Sequence, residues 1–136
     1  MPASPAPERA TGRRAARRTA FFLLYQWDVT GQPLGSLYEG DIDPYARELA
    51  EGVAARAAEL DGAISGAATD WPAERLGAVE RNVLRIALYE LDEGLVPTEV
   101  AIDEAIRLTK RYATEDAAKL INGILGRVVR ERATAT

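Results

Sequence analysis

The hydrophobic positions of this chain recur at helical spacing along its length, and no stretch alternates with the period of two that a half-buried strand requires. From about Glu8 to Thr30 the pattern is that of one helix, ended by Gly31-Gln32-Pro33. A loop rich in Gly and Asp runs to about Asp43. Pro44 suits the first turn of a second helix with Asp43 as its cap, and Leu49, Val53 and Ala57 follow at helical spacing. A third helix is predicted from near Leu60 to Thr69, and Trp71-Pro72 marks a break; Trp27 and Trp71 are expected as core or rim aromatics. Then Leu76, Val79, Val83, Leu84, Ile86, Ala87, Leu88 and Leu91 populate nearly the whole circumference of one long helix. A helix apolar on most sides is a central one, wrapped by others. Gly94 and Pro97 stop it. The next helix starts at about Thr98 and carries Val100, Ala101, Ala105, Ile106 and Leu108. The last starts near Thr114 and carries Ala117, Leu120, Ile121, Ile124, Leu125, Val128 and Val129.

The prediction is an all-α fold of about six or seven helices in a single domain, without internal repeats. Three prolines in the first seven residues make residues 1–8 read as a disordered tail, leaving 9–132 as the folded domain.

Composition narrows the chemistry. With 136 residues and 47% hydrophobic content, one domain with a real core is expected. Neither cysteine nor histidine occurs, which removes thiolate metal sites, disulfides, the usual general base and the commonest metal ligand. No glycine-rich phosphate loop accompanies what carboxylate or lysine chemistry remains. An enzyme is not expected, nor a metal or other cofactor. The apolar run Phe21-Phe22-Leu23-Leu24 is too short for a signal core, and no stretch approaches membrane-spanning length, so a cytoplasmic protein is expected.

Charge changes the picture most. The whole chain carries −4, yet residues 1–20 hold five arginines against Glu8, or +4, which leaves −8 for the rest. On a helix that turns about 100° per residue, Arg14, Arg18, Phe21 and Tyr25 fall on one ridge. Arg13 and Arg17 form a neighbouring ridge running back towards Arg9. Ala15, Phe22 and Gln26, near Thr19 and Leu23, form the expected core face. Arg13, Arg14 and Arg17 are expected to reach solvent and to contribute little to the fold. Such a face is either merely solvated or a surface for a polyanion. Arginine with tyrosine suits single-stranded RNA, because guanidinium neutralises phosphate while a ring receives an unstacked base.

Other charged positions read locally. Lys110, Arg111 and Lys119 add positive charge around the last inter-helix turn, and Glu115 and Asp116 suit a helix N-terminus. Glu80, Arg81 and Arg85 are expected to pair along their own helix, with Glu90 nearby. Asn122-Gly123 is expected to mark a close helix–helix approach, with Asn122 hydrogen-bonded internally.

Four segments together carry a family resemblance. They are the arginine-rich start leading into Ala20-Phe-Phe-Leu-Leu-Tyr25-Gln-Trp27; the run Val79-Glu80-Arg81-Asn82 to Leu91; Val96-Pro97 through Ile106; and Ala113-Thr-Glu115-Asp116 through Lys119-Leu120-Ile121-Asn122-Gly123-Ile124-Leu125. Over residues 9–130 the chain resembles the NusB family of bacterial transcription antitermination factors. The resemblance implies two packed small helical bundles. It implies binding to the boxA element of nascent ribosomal RNA leader transcripts, together with the ribosomal protein that doubles as NusE, within the RNA polymerase antitermination complex. The RNA-binding candidates are Arg9, Arg13, Arg14, Arg17, Arg18, Asp116 and Lys119. Tyr25 and Glu80 match the NusE-facing surface, which competes with base stacking as the role of Tyr25. Leu120 stands where some relatives carry an aromatic, and leucine cannot stack. The alternative is a helical interaction module or homodimer whose arginines are buried against its partner. A third reading, a detached relative of the domain that precedes certain ribosomal RNA methyltransferases, fits the arginine-rich start poorly.

Overall fold

The computed structural model describes residues 6–68 and 75–135, with side chains described within 12–68 and 75–134. Among the described residues there are six α-helices and no strand: α1 Ala6–Thr30, α2 Pro44–Ala55, α3 Ala57–Ala67, α4 Ala78–Asp92, α5 Thr98–Tyr112 and α6 Glu115–Ala135, with a 3-10 turn at Leu34–Leu37. The Trp71-Pro72 break lies outside the described residues.

Helical structure extends past the expected 9–132 at both ends. At the front, Pro7 stands in the first turn of α1, where a proline forfeits no intrahelical hydrogen bond. So Ala6, Pro7 and Glu8 belong to the helix, not to the tail predicted from proline content. Asp43 caps α2 as expected, its carboxylate accepting from the N–H groups of Tyr45 and Ala46. The junction between α2 and α3 comes earlier than predicted. It falls at Arg56, whose N–H donates to the carbonyls of Gly52 and Val53.

α4 packs against each of the other five helices. It is the central helix that its apolar circumference predicts. α1 and α2 pack on each other and on α4; α5 and α6 do the same; α3 bridges α2, α4 and α6. The shared core contains Leu24 from α1, Leu49 and Val53 from α2, Leu60 and Ile64 from α3, Leu84, Ile86 and Leu88 from α4, and Ile121 and Leu125 from α6. Each such side chain contributes about 1.5–3 kcal/mol on leaving water. At one crossing the helices approach closely: a methyl group on Gly52 of α2 would overlap the ring of Tyr89 on α4.

Three local expectations are corrected. Phe21 is buried and stacks on Tyr112 at 5.3 Å, whereas Phe22, predicted for the core, is 47% exposed. The real helix has both residues flanking the edge of its buried face, and Tyr112 selects Phe21. Arg81 and Arg85 do not pair along α4. They reach across to Asp28 on α1, and Arg85 also grips Asp61 on α3 with bonds of 2.8 and 2.7 Å. Asn122 is exposed and Gly123 has open space before it, so no helix among the described residues approaches there. The buried asparagine is Asn82, which donates to Asp28 and to the Ala78 carbonyl and accepts from Arg85.

Candidate nucleic-acid interface

α1 and α5 flank an open cleft of about 610 Å³. Its walls bring Arg14, Arg17 and Arg18 of α1 opposite Arg107, Lys110 and Arg111 of α5, with Asp103 and Glu104 as the only acids lining it among the described residues. Arg107, Lys110 and Arg111 share one face of α5 because they are spaced by three and four residues.

The α1 arginines are not equivalent. Arg17 is 3% exposed and points inward, contrary to the expectation that it reaches solvent. Its guanidinium donates to both oxygens of Glu90 and lies 3.4 Å from Glu104. Burial alone would lower its pKa; hydrogen bonding to Glu90 and the charges around it outweigh that and raise it further. The Tyr45 hydroxyl also donates to Glu90. Burial, then this bond, pushes the Tyr45 phenol well above its ordinary value. Arg14 donates to Glu104 at 3.0 Å. Arg13 donates to the Leu95 carbonyl at 2.8 Å and stacks over the Tyr45 ring. So within a cluster that looks uniformly basic in sequence, Arg14 and Arg17 are paired with Glu104 and Glu90. Arg107 shares Glu104 at 3.6 Å.

Arg18, Lys110 and Arg111 have no ion pair among the described residues, and Lys110 and Arg111 are exposed. These carry the open positive charge of the cleft. Arg9 lies on α1, and its side chain is outside the described set. Beyond the end of α5 comes the start of α6. Thr114 caps that helix through the Ala117 N–H, and Asp116 and Lys119 stand exposed in its first turns. Asp116 thus has the helix-terminal place that its acidity suits.

Tyr25 is 38% exposed, on an outer stripe of α1 with Phe22 and Val29. Glu80 stands in the first turn of α4, half-buried, its carboxylate lying where a methyl on Gly77 would come within 2.9 Å. Asp28, just beyond Tyr25, is gripped by Arg81, next to Glu80. Tyr25 lies beside Phe21, whose ring stacks on Tyr112 of α5.

The sequence reading gave no site role to Arg107 or Glu104, and it placed Glu90 with the charges of its own helix and not with Arg17. The face of Arg107, Lys110 and Arg111 is legible from its spacing; the inward turn of Arg17 is not, since it depends on acids 73 and 87 residues away.

The class defined by this geometry is a helical protein with a cationic cleft between its first and fifth helices, and no helix among the described residues is long and apolar enough to cross a membrane. Comparison with known proteins agrees. The NusB family profile matches residues 14–130. A transcription antitermination protein NusB from Rubrobacter xylanophilus is 42% identical over 120 residues, covering 83% of this chain and 86% of its own. The fold matches NusB of T. maritima with a TM-score of 0.77 at 37% identity, covering 88% and 91% of the two chains. It also matches a chain from a crystal structure of antitermination factors NusB and NusE in complex with double-stranded RNA, with a TM-score of 0.76 at 31% identity, covering 88% and 96%. The chain belongs to the NusB family.

Proposed function

We propose that this protein is an RNA-binding antitermination factor of the cytoplasm that recognises boxA-type RNA of ribosomal RNA leader transcripts together with the ribosomal protein NusE. The single observation that carries this reading is the cleft between α1 and α5, where Arg18, Lys110 and Arg111 have no ion pair among the described residues, in an otherwise acidic chain. Guanidinium and ammonium groups held on two rigid helices suit a phosphate backbone. The relative solved with NusE and RNA supports both partners by analogy. Arg13 and Arg14 lie at the rim of the RNA path, and Asp116 and Lys119 extend it to α6. Arg17 acts from beneath, holding α1 against α4 and α5. Tyr25 and Glu80 belong to the face turned to NusE, and the pair thus assembled enters the RNA polymerase antitermination complex.

The test is titration of a boxA oligonucleotide and a scrambled one, each with and without the ribosomal protein. Tighter binding of boxA, strengthened by the protein partner, supports the reading. Equal affinity for both oligonucleotides, or an unchanged affinity when the partner is added, rules it out.

A further inference from the structure

Phe22 is a large aromatic left 47% exposed on a helix that had a core position available next to it. Its surroundings are organised. Its ring and that of Tyr112 make a T-shaped contact at 5.2 Å and 75°, and Tyr112 is in turn stacked on buried Phe21 and covered by the Arg111 guanidinium at 5.6 Å. The Phe22 ring is thus fixed by neighbours while part of its surface stays open. Arg18 lies one helical turn before it and Arg111 is adjacent to its contact Tyr112, and both line the cationic cleft. On its other side Phe22 borders a second depression, of about 600 Å³, whose wall includes Gln26.

We propose that Phe22 is a stacking platform for one unpaired base of a single RNA strand whose phosphates lie on Arg18, Lys110 and Arg111. This rests on the RNA-binding reading above and adds the residue that receives a base. Phosphate and base alternate along a strand, so an aromatic ring one helical turn from Arg18, just outside the cationic cleft, matches that alternation. Gln26, one turn on, carries both a donor and an acceptor for a base edge. Tyr25 is not needed as the platform, which leaves it for protein contact.

The experiment compares Phe22→Leu and Phe22→Trp with the unchanged protein, using boxA RNA and a set of boxA oligonucleotides each made abasic at one position. Stacking on an aromatic is worth about 1–3 kcal/mol per base, so Phe22→Leu should bind boxA roughly tenfold more weakly, while Phe22→Trp binds as well or better. The slope of log affinity against log salt should not change, because no phosphate contact is touched. At one abasic position the difference between Phe22→Leu and the unchanged protein should vanish, which locates the stacked base. Thermal melting of both variants should stay close to the parent, since about half of the side chain is exposed and leucine or tryptophan keeps an apolar contact with Tyr112. The proposal fails if Phe22→Leu binds boxA as the parent does, if its penalty persists at every abasic position, or if it weakens only the ribosomal protein. Failure of the parent itself to prefer boxA is a different result and sinks the RNA-binding reading instead.

Discussion

Arg17 and Glu90 form a two-pronged ion pair inside the protein, with the guanidinium donating to both carboxylate oxygens over 2.8–3.1 Å and each side chain almost entirely buried. The pair joins α1 to the central helix α4, and Glu104 ties α5 to the same guanidinium. Removing one member leaves an uncompensated buried charge, which costs about 3–5 kcal/mol. Arg17→Ala should therefore lower the unfolding free energy by that amount in chemical denaturation. Arg18→Ala, on the outer face, should change it by no more than about 0.5 kcal/mol. Equal and small losses in both variants would show that Arg17 does not brace the helices. A triple replacement of Arg13, Arg14 and Arg17, expected from sequence alone to leave the fold untouched, should instead be strongly destabilising.

That reversal shows where sequence reading stops. The all-α class, the central place of α4 and the Asp43 cap follow from short-range rules, spacing and capping, that act within one helix. The basic character of the first helix is legible for the same reason. Which arginines remain free is a tertiary matter. Arg17 and Arg18 are neighbours in sequence, and about 100° of rotation separates a buried ion pair from an open cation. Phe21 and Phe22 differ in the same way, because Tyr112 from α5 stacks on the first ring and meets the second only in a T-shaped contact. Arg107, Lys110 and Arg111 could be recognised as one face, but nothing local says that this face looks across a cleft at Arg18.

Tyr45 gives the buried cluster a pH signature. Its phenol is held above the ordinary value of 10.0, first by burial and then by donating to Glu90. A pKa raised on folding contributes stability that is fully present below pH 10 and is lost as pH rises through the folded value. In that interval the unfolded phenol has given up its proton and the folded one has not, so stability falls by about 1.4 kcal/mol per pH unit from this group. Tyr45→Phe should be less stable than the parent at neutral pH and should lose stability less steeply above pH 10. Parallel profiles for the two proteins in alkaline denaturation would remove Tyr45 from this role.

Gly52 is set against the Tyr89 ring. Alanine is the better helix former by up to about 1 kcal/mol, yet its methyl group would occupy the space of the ring. Overpacking of this kind costs about 1–3 kcal/mol, so the net effect of Gly52→Ala should be destabilising. Combined with Tyr89→Leu, which vacates the ring, the added methyl should cost much less. Melting of the two single variants and the double variant closes the cycle; additive losses would mean that the α2–α4 contact relaxes without the ring being the obstacle.

Glu80 is half-buried in the first turn of α4, where a carboxylate favours the helix terminus by about 0.3–1 kcal/mol. Its larger effect is expected on the protein partner. Glu80→Ala should lower affinity for the ribosomal protein by at least severalfold in calorimetry, while boxA affinity measured without that protein changes little. The reverse pattern, impaired RNA binding beside full partner affinity, would move Glu80 to the RNA face.

The cations of α5 should matter more to RNA than their place late in the chain suggests. Each phosphate contact on a single strand contributes about 0.7 to the slope of log affinity against log salt. Arg14 donates to Glu104, and displacing it towards phosphate exposes that acid again; Lys110 and Arg111 have no such competitor among the described residues. With about four phosphates engaged, the parent slope should be roughly −3. Lys110→Ala with Arg111→Ala should flatten it by about 1.4, and Arg14→Ala by clearly less than 0.7. Both sets lie on the protein surface, so folding should survive and the slopes remain comparable. A larger change from Arg14 than from the α5 pair would place the RNA backbone on α1 alone, and the cleft would not be its path.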